Sequence, residues 1–192
     1  MIQKNSVLIV SPGPKAGTML SGLLPASSFS PICTVPTAGE ARRLLVDRRF
    51  DIAVINAPLP DDFGPQLAIE ISEKQGCGVL LLVKAEVQEA VCLKVEDYGI
   101  LTLPKPANRQ MVFQSIKLIA ATRQKIRTLE EKTSTLESKM EEIRLVNRAK
   151  LLLIEHLKMS EPEAHHYIEK RAMDTCVKRR TIAENIIKTY EP

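Results

Sequence analysis

The strongest constraint on this chain is where its helix breakers stop. All eight glycines lie at or before Gly99 and ten of the twelve prolines at or before Pro106, while residues 107–161 contain neither. Gly and Pro punctuate turns and interrupt helices, so a turn-rich part must give way near Pro106 to one long helix. Within the first part, short apolar runs stand at Val7-Leu8-Ile9-Val10, Ile52-Ala53-Val54-Ile55, Val79-Leu80-Leu81-Leu82-Val83 and Ile100-Leu101-Thr102-Leu103. Pro31 to Val35 fits a further edge strand. Helical spacing separates them at Ala41–Val46, Gln66–Ile71 and Glu86–Lys94. Continuous apolar strands alternating with helices predict a doubly wound parallel α/β sheet covered on both faces.

The long helix carries a heptad. With Ile119 as a, the a positions are Ile119, Ile126, Thr133, Met140, Asn147 and Ile154, and the d positions Thr122, Leu129, Leu136, Ile143, Lys150 and Leu157. Eight of these twelve are apolar and charged residues flank them, as a dimeric coiled coil requires. The alternative is a surface helix lying on its own domain. After Leu157 the helix should end, because Ser160-Glu161-Pro162-Glu163 is a capping box for a new one. That helix should run to about Thr175 with Ala164, Tyr167, Ile168 and Ala172 inward. A third, from about Val177 to Tyr190, should turn Ile182, Ala183, Ile186 and Ile187 inward. Leu151 to Ile154 is apolar all round and is expected to be buried on several sides, as it would be if the dimer seam and the two following helices both packed there. The resulting division is an α/β domain over 1–120, a coiled-coil linker helix over 121–145, and a small three-helix C-terminal bundle over 137–192.

Charge sharpens this division. Up to Pro106 there are 10 basic and 11 acidic residues, and beyond it 17 and 12, so the net +4 is a property of the second half. No apolar run reaches the roughly 18 residues of a membrane span, and the N-terminus lacks a signal-peptide pattern. Cys33, Cys77, Cys92 and Cys176 have no paired spacing for zinc or disulfides, which fits free thiols in a cytoplasmic protein. His156, His165 and His166 accompany no nucleophile motif, and no Gly-rich phosphate loop is present. The expectation is no catalysis, no cofactor and no metal.

The stretch Asp51-Ile-Ala-Val-Ile-Asn56-Ala-Pro58-Leu-Pro-Asp61-Asp62-Phe-Gly64 resembles the receiver domain of two-component response regulators, as does Leu103-Pro104-Lys105-Pro106. The resemblance implies a phospho-accepting Asp at the end of the third strand, and Asn56 stands there. It implies an acidic pair after the first strand to hold Mg²⁺, and Ser11 and Pro12 stand there, without the carboxylate oxygens a hard cation needs. Val83 replaces the Thr or Ser that contacts the phosphoryl group, and Thr102 falls where the switch aromatic belongs. Lys105 alone is retained. The resemblance therefore points to a phosphorylation-independent pseudo-receiver. Asp61 and Asp62 are read as turn residues, one of them capping the following helix, rather than as substitute acceptors.

Farther on, Ala149-Lys150, Leu153, Met159-Ser160-Glu161-Pro162-Glu163-Ala164, Tyr167-Ile168, Arg171-Ala172-Met173-Asp174 and Ile182-Ala183-Glu184-Asn185-Ile186-Ile187 resemble the ANTAR domain. That resemblance implies a transcription antitermination regulator binding paired hairpins of a leader transcript, and the coiled coil would make it a dimer. Candidate RNA contacts are Arg148, Lys150, Tyr167, Lys170, Arg171, Lys178, Arg179 and Arg180. The basic cluster alone could equally be a solvated face. Tyr167, His165 and His166 are candidate platforms for unstacked bases, though Tyr167 also shares the spacing of core positions. The expected partners are RNA, a second copy through the coiled coil, and a regulatory protein at the receiver-like domain. The rival readings are a DNA-binding response regulator and a protein-interaction adaptor. The first is weakened by the apolar Ala183–Ile187 segment, where base-reading side chains would be wanted.

Overall fold

A computed structural model describes residues 4–191. Its chain order is β1 (Asn5–Val10), α1 (Pro14–Ser21), β2 (Phe29–Val35), α2 (Ala38–Asp47), β3 (Ile52–Asn56), α3 (Pro65–Gln75), β4 (Gly78–Lys84), α4 (Gln88–Val95), β5 (Leu101–Lys105), α5 (Arg109–Leu157), α6 (Glu161–Asp174) and α7 (Arg179–Tyr190). Two compact units divide between Arg127 and Thr128.

The first unit is a five-stranded parallel sheet in the order β2-β1-β3-β4-β5. Successive side chains along a strand point to opposite faces, and here both faces are covered. Leu8, Val10, Ala53, Ile55, Val79 and Leu81 meet α2, α3 and α4 through Ala41, Leu67, Ile71 and Val95. Val7, Ile9, Ile52, Val54 and Leu80 meet α1 and the start of α5 through Leu20, Val112, Ile116 and Ile119. Each fully buried aliphatic side chain contributes about 1.5–3 kcal/mol, which is why the apolar runs are unbroken. Two glycines are steric necessities. Gly64 has φ +104°, and an added Cβ would lie 2.6 Å from the Ala57 methyl; at Gly78 it would collide with Ile119.

The doubly wound parallel sheet is thus present, with boundary corrections. The last strand runs to Lys105 rather than ending at Leu103, and the segment from Glu86 opens as a short 3-10 turn over Ala85–Val87 before α4. Ile119 is a core residue of the α/β unit, so the first a position is not part of a seam.

The second unit joins the end of α5 to α6 and α7. Ala149, Leu152 and Leu153 pack against Ala164, Ile168, Ala172, Ile182, Ala183 and Ile186. The alanines let the helix axes approach closely. The Ser160 amide donates to the Glu163 carboxylate at 2.8 Å, and the Ser160 hydroxyl donates to it at 2.7 Å, so the capping box opens α6 as expected. Leu151 is 65% exposed within this chain, because the neighbouring positions 152 and 153 face α6 and α7; its expected cover was the dimer seam.

Candidate functional site

At the carboxyl end of the sheet, β1 leads into Ser11, β3 ends in Asn56 and β5 ends in Lys105. The connections out of β1 and β3 run toward opposite edges of the sheet here, which is where open α/β sheets place their sites. Asn56 joins the other two: its Nδ2 donates to Ser11 Oγ at 3.1 Å, and its Oδ1 accepts from Lys105 Nζ at 3.0 Å. Lys105 also donates to the Ala57 carbonyl. A carboxamide offers a donor on one side and an acceptor on the other, so one neutral side chain satisfies a hydroxyl and an ammonium together. Burial, and secondarily the charge of Lys84, lowers the Lys105 pKa. The Lys105–Pro106 peptide is cis. Val83 and Thr102 are buried. Chemically, an amide cannot form the mixed anhydride that a carboxylate can.

Asp61 and Asp62 are committed elsewhere. Asp61 accepts from the Gly39 and Ala38 amides at 2.8 and 2.9 Å, and those two bonds hold its carboxyl below the ordinary range. It therefore caps α2, 23 residues back in sequence, beside the Thr37 hydroxyl that accepts from Glu40. Asp62 accepts from the Gly64 amide just ahead of α3 and pairs with Arg42 at 2.9 Å, which also holds Glu70. Among the described residues no group of three or more His, Cys, Asp or Glu is arranged to hold a metal.

In the second unit, the eight candidate RNA contacts separate into two groups. Arg148 is bidentate to Glu191 at 2.7 Å; Lys150 pairs with Glu161 at 2.6 Å and keeps only 16% of its side chain exposed. The Lys150 pair lowers the Glu161 pKa. Arg179 bridges Glu142 and Glu169, both at 3.4 Å, and Arg180 bridges Glu141 at 3.0 Å and Glu184 at 2.9 Å. These four basic residues tie α7 and the chain's end to α5 and α6. Lys170 and Lys178 are exposed and form no ion pair among the described residues. Arg171 lies over the Tyr167 ring at 5.8 Å and donates to its hydroxyl at 3.4 Å. Tyr167 is half-buried against the helical core, with its ring edge at the surface. His165 pairs with Glu169 at 3.3 Å, and His156 stacks on Tyr190 with ring centres 4.7 Å apart. The pairs Arg180–Glu184, His165–Glu169 and Arg171–Tyr167 are local, four residues apart on one helix; the other partners come from farther along the chain.

No helix of the described residues is long and apolar enough to cross a membrane. Residues 134–187 match the model of the ANTAR domain. The chain is 29% identical over 151 residues to the transcriptional regulatory protein PdtaR of Mycobacterium tuberculosis (strain CDC 1551 / Oshkosh), covering 78% of this chain and 73% of that protein. In fold it is similar to the signal receiver domain of an HD domain-containing protein from Pseudomonas fluorescens Pf-5, with TM-score 0.59 and 21% identity over 67% of this chain and 95% of that one. It is also similar to the chemotaxis response regulator CheY4 of Vibrio cholerae, with TM-score 0.54 and 18% identity over 61% and 99% of the two chains. Residues 134–187 thus match the ANTAR domain, and the part of the chain before them has a receiver-like fold.

Proposed function

We propose that this chain is a cytoplasmic, phosphorylation-independent antitermination regulator that binds RNA hairpins of a leader transcript as a dimer. The observation that carries the reading is the match to the ANTAR domain over 134–187, where Lys170, Arg171 on Tyr167, and Lys178 just ahead of α7 remain outside the ion pairs. Phosphate contacts by such cations together with a base-stacking surface suit a hairpin loop. The working division is a receiver-like domain to about residue 120, a linker helix over 121–145 and an RNA-binding unit over 137–192. The dimer reading draws on the exposed heptad residues Leu129, Leu136, Met140 and Ile143, a stripe that a monomer rarely leaves bare.

Gel shifts with hairpin RNA and duplex DNA test the reading. RNA should bind and DNA should not; the reverse preference sinks it. Lys170→Gln with Lys178→Gln should lower affinity and flatten the slope of log affinity against log salt by about 1.4, at about 0.7 for each contact to single-stranded phosphate. Arg179→Gln with Arg180→Gln should act chiefly by loosening α7. The Asn56–Lys105 arrangement supports the phosphorylation-independent part. Acetyl phosphate with Mg²⁺ should add no mass to the intact protein, and a stable single phosphoryl adduct would refute that part.

A further inference from the structure

Next to Asn56 and Lys105 runs an open groove of about 860 Å³ between the β3–α3 loop and α4. Ile69, Val83, Val87 and Val91 line it, and Lys84 and Lys94 stand on its rim. Phe63, on the loop, is 88% exposed at its edge. A phenyl ring hides roughly 150–250 Å² when covered, so this is a large apolar surface left in water. The charges around the groove are unbalanced. Asp61 and Asp62 also line it, but the first is held by the Ala38 and Gly39 amides and the second by Arg42 and Gly64. Lys84 and Lys94 form no ion pair among the described residues. Lys84 faces Lys105 in strand register, and like charges directly opposite repel. An apolar floor under a cationic rim is complementary to apolar side chains accompanied by carboxylates. A small molecule would need enclosure on most of its surface, whereas this groove is open to solvent along its length.

We propose that the groove docks an acidic, apolar segment of a partner protein, with its apolar side chains against Val87, Val91 and Phe63 and its carboxylates on Lys84 and Lys94. This deepens the regulatory side of the function proposed above and does not depend on RNA binding. Ala57 is both a wall of the groove and the carbonyl that Lys105 holds, so an occupant touches the residue through which the Asn56–Lys105 arrangement is anchored.

Fluorescence anisotropy on the full chain tests it with three labelled peptides of about 15 residues, the length of a groove-binding helix. One is built of Leu, Phe and Glu; a second has Lys in place of Glu; a third has Ser in place of Leu and Phe. The Leu/Phe/Glu peptide should bind at least about tenfold tighter than either other peptide, since charge complementarity sets specificity. Lys84→Glu with Lys94→Glu should invert the preference toward the Lys peptide, an outcome that unfolding cannot produce. Phe63→Ser should weaken the acidic apolar peptide about fivefold, the effect of an interface anchor. Equal binding of the Glu and Lys peptides, undiminished binding after charge reversal, or equal binding of the Ser peptide would each overturn the proposal. So would self-association abolished by Phe63→Ser, which would give the groove to a second copy. The hairpin gel shift, run on the same variants, should be unchanged; its failure would count against the RNA reading alone.

Discussion

Two stretches of α5 carry apolar residues along one face and meet different fates. From Arg109 to Arg127, Val112, Ile116 and Ile119 are buried under the sheet, whereas from Leu129 to Ile143 each apolar a or d residue is more than half exposed. Ile119 and Met140 are both a positions, yet one completes a domain core and the other has nothing of its own chain above it. Periodicity thus fixes which face of a helix is apolar, while the identity of what covers that face is decided elsewhere in the fold.

The contrast can be broken experimentally, and the largest effect should come from the exposed stretch. Leu129→Ala with Leu136→Ala removes about 2–5 kcal/mol per side chain if both are buried between two copies. A dimer should become a monomer at micromolar concentration, with the urea midpoint of the α/β unit unchanged. An unaltered sedimentation coefficient would place any self-association outside this stretch. On the buried stretch, Ile116→Ala should lower the stability of the α/β unit by about 2–5 kcal/mol in urea titration and leave association intact. A third stretch, near Ala149 and Leu153, packs on α6. There Ala164→Leu should cost about 1–3 kcal/mol by overpacking and reduce hairpin binding with it. The smallest effect is expected at Asp61. Its folded-state pKa lies below the ordinary 3.8, so its contribution is complete at neutral pH and is lost as pH falls through the folded value. Asp61→Asn should therefore lower stability slightly at pH 7, flatten the acid limb of stability against pH, and change little below the folded value.

The sequence made legible what local pattern controls. The runs at residues 52–55 and 79–83 became β3 and β4 because burial on both faces needs unbroken aliphatic residues. The end of α5 at Leu157 and the Ser160–Glu163 box follow from capping chemistry confined to a few neighbouring residues. The positions of Asn56 and Lys105 were equally plain, since both sit at strand ends. What distant residues decide was hidden. That holds for the ion pairs of the candidate RNA contacts Arg148, Lys150, Arg179 and Arg180, with glutamate partners up to 43 residues away. Asp61 was expected to serve a turn, and it caps α2 because the β3–α3 loop returns across that helix's first amides. Four consecutive apolar residues from Leu151 to Ile154 also cannot say which of them the neighbouring helices reach; these are Leu152 and Leu153.

The Asn56 bridge also bears on time. An acyl phosphate carries its own clock, because it hydrolyses and the signal expires with it. Asn56, Ser11 and Lys105 are joined by hydrogen bonds between groups that stay chemically unchanged. On the function proposed here, nothing at that end of the sheet decays on a schedule. The duration of a response is then set by how quickly a bound partner leaves, and by how fast the cell makes and removes the chain itself.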